Sequence, residues 1–149
     1  MPLFSLLRSN YPNTRTPCTN AGGEPTYSNQ CAIRMSIALL GAGVSLESYA
    51  GTRCPHGHAR LSQQLADWLR DQLGAPANTA VSSTEQQLRQ AISQLQGIIF
   101  FQDCFMRPGE STRQGDHIDL WDLGRRVPPI GWFPRCGDSA QVWFWPLTG

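Results

Sequence analysis

The chain of 149 residues suits one domain with a proper core, and 40% hydrophobic against 15% charged residues describe a globular protein with a sparsely charged surface. A net charge of +1 excludes a broad basic field for nucleic acid and an acidic tail, and no apolar run approaches the roughly 20 residues of a membrane span. All twelve basic residues are arginine, and the five cysteines (18, 31, 54, 104 and 136) are an odd number, allowing one free thiol and up to two bridges of undetermined pairing.

Residues 3–8 read as a short helix that breaks before Pro12. The start, Met1 to Arg8, lacks the charged opening and long apolar stretch of a secretory signal, so work outside the cytoplasm would need another carrier. Residues 10–29 are rich in Pro, Asn, Thr and Gly and predict a loop ordered mainly by packing. A helix then opens at Asn29, a good N-cap, and runs to about Leu40, with Ile33, Ile37 and Leu40 at helical spacing and Gly41 and Gly43 as its stop. Another loop, residues 41–59, holds four glycines and the cluster Cys54-Pro55-His56-Gly57-His58. A second long helix, Arg60 to Leu73, turns Leu61, Leu65, Trp68, Leu69 and Leu73 to one face and ends at Gly74. A third opens at Ser83 with Gln86 completing a capping box, carries Leu88, Ile92 and Leu95 inward, and stops at Gly97.

Beyond Gly97 the period changes. Ile98 to Phe101 is a β-prone run suited to a buried central strand. His117 to Trp121 alternates, placing His117, Asp119 and Trp121 on one face and Ile118 and Leu120 on the other. A Gly/Pro loop follows, and Val142 to Trp145 forms the last strand. Helices first and strands afterwards predict an α+β fold, a single domain over 1–149.

Cys31 falls in the first turn of its helix, where unpaired N–H groups and the positive dipole end favour an anion and so a thiolate. The plainer alternative is a small buried residue. A helix-start cysteine followed much later by a histidine on a strand is the layout of a cysteine hydrolase, in which the imidazole takes the thiol proton and returns it to the leaving amine. A third polar group would fix the imidazole tautomer. Without the cysteine, His117 would read as an ordinary satisfied histidine.

Four blocks carry a more specific resemblance. They are Asn29-x-Cys31-x-Ile33-Arg34-Met35-Ser36, Gly97-Ile98-Ile99, Gly115-x-His117-x-x-Leu120-Trp121, and Cys136-x-Asp138 before the Trp-rich last strand. In that order, over about residues 27–145, the chain resembles the fourth family of type VI secretion amidase effectors, NlpC-type papain-like cysteine amidases. The resemblance implies a papain-like fold with N-terminal helices packed on a small antiparallel sheet. It also implies hydrolysis of the γ-D-glutamyl–meso-diaminopimelate bond of peptidoglycan stem peptides. The protein would be made in the bacterial cytoplasm, exported without a signal peptide by the type VI apparatus, and active in the periplasm of a target cell. A cognate immunity protein is the expected partner, with no nucleic acid, no membrane and no cofactor.

Carried over residue by residue, Cys31 is the nucleophile, His117 the base and Asp138 the orienting acid. Asp119 is a rival for the third role, although a residue two along one strand usually points beside the histidine, and Asp138 could instead be an ordinary loop acid. The oxyanion hole would use the Cys31 backbone N–H, with Tyr27 or Gln30 as a possible second donor. Arg34 could meet a substrate carboxylate or form a fold-fixing salt bridge, and Trp121 could pack or stack on substrate. Cys54, His56 and His58 have metal-binding chemistry, but their spacing fits no structural zinc pattern, so no metal is assigned. Bridges among Cys18, Cys54, Cys104 and Cys136 are possible in an oxidising compartment, and one at Cys136 would help hold Asp138. Two rivals remain: a papain-like protease or deamidase of proteins, and a non-enzymatic module holding a metal at Cys54, His56 and His58.

Overall fold

The structure, a computed structural model, describes residues 3–79, 90, 92–123, 125–127 and 141–148. Its first helix, α1 (Leu3–Asn10), buries Phe4 and Leu7, and Arg8 in its last turn reaches Asp122 at 2.8 Å. The helix α2 (Cys31–Gly41) is buried almost all round, with Ala32, Ile33, Met35, Ala38 and Leu39 in the interior. The expected stripe misplaced one residue: Leu40 is 44% exposed, and Leu39 takes the core position. Since α2 packs against α1, α3 and a strand together, it has no single apolar face for a periodic pattern to mark. The helix α3 (Ser62–Leu73) turns Leu65, Trp68 and Leu69 inward, whereas Leu61 and Leu73 at its ends are exposed. Gly74 ends it as expected, at φ 89° with its N–H on the Arg70 carbonyl.

Among the described residues, five antiparallel strands form one sheet in the order β1-β5-β2-β3-β4. They are β1 (Ala77–Thr79), β2 (Gln96–Phe105), β3 (Gly115–Asp122), β4 (Arg125–Val127) and β5 (Gln141–Pro146). The apolar run from Ile98 is the central strand, as its composition predicts, but β2 starts at Gln96 and contains Gly97. Gly97 is therefore a strand residue, a correction to its reading as a helix stop. A Cβ there would lie 1.9 Å from the Trp145 carbonyl oxygen, so the close approach of β5 requires glycine. The helix expected from Ser83, with Leu88, lies largely outside the described residues. Of its other inward positions, Ile92 is buried and Leu95 is 41% exposed.

Both faces of the sheet are covered, which explains why β2 is apolar at successive positions rather than at alternate ones. Ile98, Phe100, Ile118, Leu120, Trp143 and Trp145 join the core shared with the helices. Ile99, Phe101, Trp121, Val142 and Phe144 form a second cluster with Ile92 and Cys104. This is the expected α+β arrangement of N-terminal helices on an antiparallel sheet. Between Phe101 and Phe105, β2 takes four residue steps while β3 takes two. Asp103 adopts φ 52° in this bulge, and its N–H donates to Asp116 Oδ1 at 2.9 Å.

Candidate active site

Cys31 is the first residue of α2, and its N–H donates to Asn29 Oδ1 at 3.2 Å. Gln30, not Asn29, holds the N-cap position and no side-chain bond caps the helix from it, a correction to the expected cap. The Asn29 oxygen accepts from Cys31 one residue further on. Gln30 is not a free donor for substrate. Its Oε1 accepts from Cys18 N–H at 2.7 Å, and its Nε2 donates to the carbonyls of Cys18 and Tyr27 at 2.8 and 2.9 Å. One buried amide therefore pins the loop before α2, which polar bonds order as well as packing.

The start of α2 rests against the edge of β3. Among the described residues β4 pairs only with Leu120–Asp122. Cys31 Sγ stands 3.9 Å from the Asp116 carbonyl and also takes a hydrogen bond from the Ile118 backbone. On its other side Sγ is 2.9 Å from Ser62 Oγ, at the first residue of α3. His117, buried on β3, completes the surroundings of the thiol. Burial pushes the Cys31 thiol up. The hydrogen bond and charge of His117, with bonds from Ser62 and Ile118, outweigh it and bring the pKa down to about 7. For His117 burial acts downward, yet its bonds to Asp119 and Cys31 raise it to about 9.

The His117–Asp119 contact answers the strand-geometry objection. Asp119 Oδ2 lies 3.2 Å from His117 Nε2, so two residues along one strand do meet here. The carboxylate can reach back because it is held from behind: the Leu120 N–H donates to Oδ1 at 2.9 Å and the Tyr11 hydroxyl at 3.2 Å. Burial, then the charge of Asp119, raise the Tyr11 pKa well above its ordinary value, so it stays a neutral donor. The same imidazole also hydrogen-bonds the Cys31 sulfur. Asp138, the other candidate for this role, and Cys136 lie outside the described residues.

Arg34 lines a hollow beside the site, and it forms no salt bridge among the described residues. Its guanidinium is buried, donates to the Arg15 carbonyl and bonds the Tyr11 hydroxyl, and its Nε has no partner there. Tyr27 walls the cleft with its ring 4.1 Å beneath the Arg60 guanidinium. Trp121 is 1% exposed and donates to the Ile92 carbonyl, so it packs in the core rather than offering a face for stacking. Two hollows open at the site and share Ser28 and Asn29. One, of 690 Å³, is lined by Cys31, Ser62, Arg60, Arg107 and Asp116. The other, of 290 Å³, is lined by His117, Arg34, Arg15 and Phe105.

No group of three metal-ligating side chains gathers among the described residues. Cys54 Sγ lies 3.8 Å from His58 Nδ1, while His56 Nε2 is 3.3 Å from the Thr19 carbonyl. Cys18, Cys31, Cys54 and Cys104 are free thiols. Sequence reasoning missed Tyr11 and Ser62, since neither carries a local motif and each reaches the site only through helix packing.

The family described as type VI secretion system (T6SS), amidase effector protein 4, matches residues 27–145, a span that contains the thiol, the imidazole and the carboxylate. The chain belongs to this family. It is therefore an amidase effector of that secretion system. Two solved structures are similar over 99% of this chain and 99% of theirs, each at 20% identity. The Tae4–Tai4 effector–immunity complex from Enterobacter cloacae gives a TM-score of 0.65. The effector Tae4 from Salmonella typhimurium, in complex with the immunity Tai4 from Enterobacter cloacae, gives 0.67. At that identity the likeness concerns the fold. None of the curated proteins matches the sequence.

Proposed function

We propose that this amidase effector is a cysteine hydrolase of peptidoglycan that cleaves the γ-D-glutamyl–meso-diaminopimelate bond of stem peptides. The observation that carries the reading is the buried contact line of Cys31, His117 and Asp119, with the thiol lowered to about 7 and the imidazole raised to about 9. Between about pH 7 and 9 such a pair exists largely as thiolate and imidazolium, ready for attack without metal or organic cofactor.

The Cys31 thiolate adds to the γ-carbonyl carbon. His117 then gives its proton to the diaminopimelate nitrogen as the C–N bond breaks, leaving a thioester on Cys31. Water, deprotonated by His117, attacks the thioester, releases the D-glutamyl carboxylate and restores the thiolate. Asp119 holds Nε2 and keeps the imidazolium favourable. The bond assignment rests on the family resemblance, as do action in a target cell's periplasm and neutralisation by a cognate immunity protein. Solved relatives in effector–immunity complexes support that last expectation.

The test is digestion of purified Gram-negative sacculi with wild type and Cys31→Ala, reading released muropeptides by mass spectrometry. New D-Glu and diaminopimelate ends with wild type alone are expected. Cleavage at another peptide bond would overturn the bond assignment, and activity in Cys31→Ala would overturn the nucleophile. In the same assay Asp119→Asn should lower turnover by about 100-fold, as loss of support for a general base does. A larger fall for Asp138→Asn would return the third role to Asp138.

A further inference from the structure

Of the donors expected of the oxyanion hole, the Cys31 N–H and the Gln30 amide are engaged elsewhere. The Cys31 N–H is on Asn29 Oδ1, and the Gln30 amide is spent on the loop before α2. Tyr27 meets Arg60 with its ring face. A negatively charged tetrahedral adduct still needs a hydrogen-bond donor beside the attacked carbon.

We propose that Ser62 is a catalytic residue of this site, its hydroxyl holding the Cys31 thiolate at rest and the oxyanion during attack. Ser62 Oγ stands 2.9 Å from Cys31 Sγ and lines the same 690 Å³ hollow. The oxyanion is two bonds from Sγ, so a hydroxyl already bonded to sulfur needs only a small rotation to reach it. A donor serves this purpose at about 2.7–3.1 Å from the developing charge. As attack proceeds, negative charge leaves sulfur for oxygen, and one hydroxyl can follow it with no proton changing owner.

The placement of Ser62 favours this role. It is 7% exposed, so little water competes for its hydroxyl. It opens α3, but Leu61 holds the N-cap position and no side-chain bond caps the helix. The Ser62 hydroxyl is thus not consumed by capping, the commonest use of serine at a helix start. The first intrahelical bond of α3 runs from Leu65 N–H to the Leu61 carbonyl. The N–H groups of Ser62, Gln63 and Gln64 precede it and add positive potential on the same side of the sulfur.

This inference rests on the cysteine-hydrolase reading, and its test separates the two. Sacculus hydrolysis and iodoacetamide alkylation of Cys31 are measured for wild type, Ser62→Ala and Ser62→Thr at about pH 9, where the lowered thiol is ionised. Alkylation needs the thiolate but forms no oxyanion. Ser62→Ala should therefore lose about 100-fold in kcat with little change in KM, while its alkylation rate falls by no more than about threefold. Ser62→Thr, which keeps the hydroxyl, should recover most of the loss. Equal falls in hydrolysis and alkylation would reduce Ser62 to a pKa-setting neighbour and overturn the proposal, as would unimpaired hydrolysis in Ser62→Ala. A wild type inert on sacculi whose Cys31 still alkylates readily would overturn the function reading and this proposal together. Circular dichroism and thermal melting check that both variants fold.

Discussion

A buried imidazole ordinarily gives up its proton, because burial penalises the charged form. His117 keeps it to about pH 9 because Asp119 and the Cys31 sulfur flank it, and the thiol is correspondingly lowered to about 7. The two shifts define a window. The reactive pair forms once pH rises above the Cys31 value and is lost once pH passes the His117 value. The pH profile of kcat/KM should be flat between about 7 and 9 and fall about tenfold per unit on either side. A single acidic limb near 9, the pKa of an ordinary thiol, would show that the pair does not form. The same linkage bears on stability. Since folding raises the His117 pKa, its contribution is full below the unfolded value of about 6.5 and fades as pH rises through about 9.

Each element delivers one part of the site. The start of α2 brings the thiol, the edge of β3 brings imidazole and carboxylate, α3 brings the Ser62 hydroxyl, and the residue beyond α1 brings Tyr11. The β2 bulge, tied by Asp103 N–H to Asp116, shapes the strand pair just beside His117. The sheet in turn depends on the close pairing of β2 with β5 at Gly97. Gly97→Ala should force the strands apart and destabilise the protein by about 2 kcal/mol. That corresponds to a melting temperature roughly 5 °C lower. An unchanged melting temperature would mean that β5 can shift without cost.

At the scale of the whole molecule, the near-neutral charge sets how the enzyme meets its polymer. A net charge of +1 gives no long-range attraction to a charged wall. Raising salt from about 50 to 300 mM should therefore alter sacculus digestion by less than about twofold. A steep fall would point to local charge, with Arg60 and Arg107 on the cleft wall as its source. The arrangement also shows what lay in the sequence. Residue type and period were enough for α1, α2 and α3, the central β2, the strands carrying His117 and Trp145, and the α+β order. They also marked Cys31 and His117, because a cysteine in a first helical turn and a histidine on an alternating strand are local patterns. The assignments that failed involved neighbours distant in the chain. Gly97 looked like a helix stop until β5 was placed against it, and Leu39 replaced Leu40 because three elements surround α2. Tyr11 reaches Asp119 from 108 positions away, and Ser62 reaches Cys31 from 31. Hydrogen bonds of that span leave no trace in local periodicity, so the sequence alone determined the element types and singled out Cys31 and His117, the pair proposed to react. Only tertiary packing decided which groups hold them in place.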